Sequence, residues 1–147
     1  MNTRFVIGTL VFFLLSLTQC FAHHTAVIVN KGNVVESVTS AQLSKIVHGE
    51  VRKWPDGKNI ILVLHKDSAG ERQTMQRLNK MSAGEWTQFV ITHKNSILFV
   101  DTDSDVLKAV QNEPGAVGLI EARSIDNTVN VIRVDGKLPM ELGYLPH

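Results

Sequence analysis

Cysteine is almost missing from this chain: Cys20 is the only one in 147 residues. A lone thiol forms no internal disulfide and no zinc–thiolate cluster. Excess charge of either sign is also missing, with 15 Lys and Arg against 14 Asp and Glu. A balanced chain has no general field to draw it to nucleic acid or to anionic lipid, so any anion site must be local. Beyond Leu17 there is no long apolar run, and nowhere is there an internal repeat, a low-complexity tract or a block of like charge. Nothing therefore marks an internal domain boundary.

The apolar run that does exist is N-terminal. Met1–Arg4 carries one positive charge, "FVIGTLVFFLLSL" (Phe5–Leu17) follows, and "TQCFA" ends at Ala22. This is the layout of a secretory signal peptide, too short for a membrane span, with cleavage expected after Ala22. Cys20 lies in "LTQC", which loosely resembles a lipoprotein box. Gln19 stands where such a box needs a small residue, which argues against lipidation. Residues 1–22 are thus expected to leave, and 23–147 to form a single domain. Without Arg4, 14 basic residues face 14 acidic ones. The exported chain would have no thiol nucleophile.

The remaining pattern alternates strands with helices. "AVIVN" (Ala26–Asn30) is β-rich and closes in Lys31-Gly32-Asn33. In "VTSAQLSKIVHG", Thr39 and Gln42 have capping-box spacing, Leu43, Ile46 and Val47 share one helical face, and Gly49 is a stop. "WPDG" is a turn, and "NIILVLH" is a buried strand. A helix from Ala69 carries Met75 and Leu78 inward; a second one, capped by Ser82 and Glu85, buries Trp86, Phe89 and Val90. "ILFV" is a short strand, "DTDSDVLKAVQNEPG" a helix with acids at its start, and "AVGLIEA" and "NVIRV" are further strands. The tail "DGKLPMELGYLPH" is a turn followed by irregular chain. Such alternation predicts an α/β fold: a three-layer sandwich around a mainly parallel or mixed sheet. Ligands of such sheets sit beyond the carboxyl ends of the strands.

The stretch "LHKDSAGERQTM" (Leu64–Met75) is a strand-to-helix turn of that kind. The first N–H groups of a helix have no intrahelical acceptor and favour an anion. His65, Lys66 and Arg72 surround the expected helix start, Gly70 permits close backbone approach, and the N–H groups of Ala69, Gly70 and Glu71 face outward. A structural reading competes. Ser68-x-x-Glu71 has capping-box spacing, with the Ser68 hydroxyl on the Glu71 N–H and the Glu71 carboxylate on the Ser68 N–H. An ionised Glu71 at about 5 Å would repel a phosphate by a few kcal/mol at an effective dielectric near 20.

The ordered set "VIVNK", "LSKIVHG", "WPDG", "KDSAG" and "PGAVGLIE" resembles the ligand-binding proteins of phosphate ABC transporters. More narrowly, it is similar to the second lobe of those two-lobed periplasmic proteins and to their stand-alone, single-lobe relatives, over about Ala26 to Ala122. The resemblance implies one lobe of a type II periplasmic-binding fold, a periplasmic location and non-covalent recognition of a phosphate-like oxyanion, possible links to phosphate uptake included. That family's loop has an arginine two residues before an aspartate, then Ser-Gly-Thr. Here Asp67 and Gly70 match, while His65 stands for the arginine, Ala69 for the serine and Glu71 for the threonine. The ligand-binding candidates are His65, Lys66, Ser68, Ala69, Gly70 and Arg72.

Other patterns carry less. His23 and His24 beside a free amino terminus have copper-chelating chemistry, with His48, His65, His93 or His147 as a further ligand, but the six histidines lack ligand spacing. "DTDSD" (Asp101–Asp105) lacks the glycine and distal glutamate of a calcium loop. No nucleophile–base pair and no paired carboxylates point to an enzyme. No metal or cofactor is expected. The partner is expected to be a small oxyanion; the alternative is a ligand-free accessory module whose cleft face meets a membrane receptor, a sensor or a second copy of the chain.

Overall fold

The computed structural model describes residues 24–146, so the expected leader (residues 1–22, with Cys20), His23 and His147 lie outside it. Five strands form one sheet in the order β4-β3-β5-β1-β6. These are β1 (Thr25–Asn30), β3 (Ile61–His65), β4 (Ile97–Val100), β5 (Ala116–Glu121) and β6 (Val129–Val131). Strand β3 runs parallel to both β4 and β5, whereas β1 runs antiparallel to both β5 and β6. The sheet is mixed.

Period-two alternation with both faces apolar explains the three layers, since each face must be covered. Val27, Val29, Leu62, Leu64, Val117 and Leu119 point into one core, with Leu43 and Ile46 of α1 (Ser40–Val47), Met75 of α2 (Ala69–Leu78), and Trp86 and Phe89 of α3 (Ala83–His93). Ile28, Val63 and Ile120 point the other way and are covered by Val106 and Val110 of α4 (Asp103–Asn112). Gly118 lets α4 approach: a Cβ there would lie 2.7 Å from Val106 Cγ1. Gly115 is tighter, because a Cβ would lie 1.8 Å from the Asn59 carbonyl oxygen. Val90, expected to be buried, is only partly so.

Local signals shape the helix ends. Capping boxes close on Thr39–Gln42 and Ser82–Glu85, and Gly49 follows α1 at φ +73°. "NVIRV" is not one strand. It pairs with β1 up to Val131, breaks at Ile132, and continues as β7 (Arg133–Val134) beside β2 (Ser37–Val38) in a separate parallel pair. The irregular tail is anchored. The Tyr144 hydroxyl accepts from the Val27 N–H at 3.0 Å and donates to the Ile132 carbonyl at 2.7 Å, while burial pushes the phenol up to about 12.

All three parallel strands end on one edge, at His65, Val100 and Glu121. Among the described residues no helix is long and apolar enough to cross a membrane.

Candidate functional site

The turn after β3 leaves the sheet at that edge. The Lys66 N–H donates to the Val100 carbonyl at 3.0 Å, and the Ser68 N–H to that of His65 at 3.2 Å. Ser68 then caps α2, its Oγ accepting from the Glu71 N–H at 3.2 Å. Ala69 is exposed and Gly70 half-buried, so the helix tip is not covered by the chain. As the first two helical residues, they have N–H groups beyond the reach of any intrahelical carbonyl.

Glu71 departs from the capping box its spacing suggests. Its carboxyl does not return to Ser68 but turns inward, where Oε1 accepts from the His65 N–H at 3.2 Å. The residue is 4% exposed, and Oε2 has no hydrogen-bond partner among the described residues. A buried carboxyl with one oxygen unmet resists ionisation. Burial accordingly drives its pKa well above the usual range, nearby Asp103 pushes the same way, and the His65 N–H opposes both only in part.

The cations of the turn have carboxylate neighbours. Lys66 Nζ lies 2.8 Å from Asp101 Oδ1, an exposed pair that raises the ammonium and lowers the carboxylate. Such pairs are exchangeable, since surface ion pairs contribute at most about 1 kcal/mol. His65 Nδ1 lies 3.0 Å from Asp103 Oδ1, and Asp103 Oδ2 accepts from the Glu121 N–H at 3.1 Å. Asp103 thereby ties the ends of β3 and β5 to the start of α4. Arg72 is exposed and has no carboxylate partner among the described residues.

Beside the tip lies a cleft of about 400 Å³ between α2, α3 and the ends of β3 and β4. His65, Lys66, Glu71 and Arg72 line one part; Leu64, Met75, Trp86, Val90 and Phe99 form the apolar remainder, with Thr87 on the rim. Of the six residues marked from sequence, His65, Lys66 and Arg72 border this cleft, while Ser68, Ala69 and Gly70 form the helix tip next to it. Sequence reasoning missed Asp101 and Asp103 as partners of the turn. Their signal was register: "DTDSD" follows β4, and β4 pairs His65 with Val100. It also missed Trp86, Thr87 and Phe99, which come from elements distant in sequence. Among the described residues, no three His, Cys, Asp or Glu side chains converge as metal ligands.

The sequence matches the PBP superfamily domain over residues 21–138. The chain belongs to that family. Two solved structures set this PBP-type lobe in context. One, described as an ABC-type phosphate transport receptor from Vibrio cholerae, is 25% identical with a TM-score of 0.66, over 79% of this chain and 48% of that one. The other, described as a putative phosphate ABC transporter substrate-binding protein with bound phosphate from Clostridium perfringens, is 26% identical with a TM-score of 0.64, over 77% and 45%. The chain spans about half the length of these relatives. No curated protein matches it.

Proposed function

We propose that this chain is an exported, non-enzymatic solute-binding lobe that recognises a small phosphate-like oxyanion at the β3–α2 turn. The observation that carries this reading is the open tip of α2, where the N–H groups of Ala69 and Gly70 and the Ser68 hydroxyl are flanked along the chain by Lys66 and by Arg72, which is exposed and has no carboxylate partner among the described residues. Each supplies a donor, and the helix dipole adds to them. The likeness to proteins described as phosphate receptors supports the same ligand class. The N-terminal leader supports export, with 23–147 as the exported domain and the periplasm as its compartment.

A second reading is favoured by one observation. His65 and Lys66 already face Asp103 and Asp101, so the turn is partly neutralised from within. A lobe of that kind would serve as an accessory module that docks a membrane receptor, a sensor or another copy of itself.

Thermal shift with phosphate and sulfate separates the two. A ligand at 100 times its Kd stabilises by about 2.7 kcal/mol. The oxyanion reading expects a rise in Tm that Arg72→Ala and Lys66→Ala each reduce. No shift with any anion, together with a defined oligomer by size exclusion or a co-purifying membrane protein, would replace it with the accessory reading.

A further inference from the structure

We propose that the ligand of this site is an organic oxyanion, a phosphonate or phosphate monoester carrying an aromatic-sized apolar body, and that free inorganic phosphate is the poorer guest. This rests on the oxyanion reading above and specifies its substrate class. Three observations carry it. The cleft beside the α2 tip has a volume of about 400 Å³, within the 300–1,000 Å³ typical of sites that enclose whole organic molecules. A bare tetrahedral anion would occupy only its polar corner. Five apolar side chains line the remainder, Val90 and Phe99 partly exposed and Leu64, Met75 and Trp86 buried behind them, and such walls favour an apolar body while giving a hydrated anion nothing in exchange for its water. At the polar corner, Lys66 and Arg72 border the same cleft as Glu71, whose Oε2 is buried without a hydrogen-bond partner among the described residues.

The state of Glu71 decides the sign of the guest. An ionised carboxylate there would turn the cleft into an amine site, with the aromatic walls suited to an organic cation. Burial and Asp103 both hold the carboxyl toward its neutral form. A carboxyl held that way leaves Lys66 and Arg72 to set a positive corner of the cleft.

The test compares inorganic phosphate, methylphosphonate, phenylphosphonate and phenethylamine by calorimetry on the leaderless chain at pH 7 and fixed ionic strength. Phenylphosphonate should bind about tenfold or more tighter than phosphate, a difference of about 1.4 kcal/mol, with methylphosphonate between them. It should also quench a tryptophan signal that Trp86→Phe abolishes. Thr87→Trp, a change at an exposed rim position, should erase the phenyl advantage while phosphate binding persists. Equal affinity for phosphate and phenylphosphonate, unmoved by Thr87→Trp, would overturn the organic-ligand inference and leave the oxyanion reading standing. Binding of none of the three anions, or of phenethylamine alone, would overturn both.

Discussion

Glu71 concentrates the chemistry of the site in one side chain. Its carboxyl is 4% exposed, has one hydrogen bond from the His65 N–H, and shares its surroundings with Asp103, Lys66, Arg72 and the His65 ring. Because burial raises its pKa in the folded state, the fold prefers the protonated acid. Stability from this group is complete below the unfolded pKa, near 4.3, and is lost as pH climbs from there toward the folded value. Glu71→Gln keeps an oxygen for the His65 N–H and removes the titration. Urea unfolding should show the variant more stable than wild type by about 1–3 kcal/mol at pH 8, with the gain shrinking toward pH 4. A gain independent of pH would mean that Glu71 is ionised in the fold. His65 differs in kind. Its ring and its backbone N–H are both engaged, with Asp103 and Glu71, so His65→Ala should loosen the β3–α4 junction even in the absence of any ligand.

At the scale of elements, local chemistry was legible and long-range pairing was not. Thr39–Gln42 and Ser82–Glu85 announce helix starts because a capping box is complete within four residues. Ser68 and Glu71 have the same spacing, yet a backbone N–H freed at the end of β3 captured the carboxylate, a competition that spacing cannot reveal. The break at Ile132 was likewise invisible, since it depends on β2 offering a second partner to the residues beyond it. The candidate turn was readable as a strand that stops in small residues; the apolar cleft beside it was not, because its walls come from α2, α3 and β4 together. Tyr144 shows the same limit in the tail. Nothing local marks it, but its hydroxyl joins Val27 to Ile132 across 117 and 12 residues of chain. With the folded phenol near 12 and an unfolded value near 10, the unfolded state loses its proton first, so the strap weakens between about pH 10 and 12. Tyr144→Phe should lose stability at pH 8, by about 1–3 kcal/mol for the unmet Val27 and Ile132 groups, and should show a shallower alkaline decline than wild type. Guanidinium midpoints measured at pH 8 and pH 11 check both.

On the scale of the whole molecule, two cores are separated only by the thickness of one sheet. Val63 faces α4 while its neighbours Leu62 and Leu64 face α1–α3, and Ile28 sits between Val27 and Val29 in the same way. Neither core can open without exposing the strands that form the other. Cooperative loss of both faces follows, as expected for one domain of this length. Val106→Ala tests it from the side remote from the tryptophans: the residue is fully buried on α4 against Gly118 of β5, whereas Trp54 and Trp86 both belong to the opposite core. The cavity should cost about 1–3 kcal/mol and lower Tm by roughly 4 °C for each kcal/mol. Tryptophan fluorescence on the far face and helical circular dichroism should fall together at the new midpoint. If fluorescence instead keeps the wild-type midpoint while the dichroism drops early, α4 is a separately melting layer. The β3–α2 turn would then be held by one core alone, and Asp103, at the start of α4, would release His65 before the lobe unfolds.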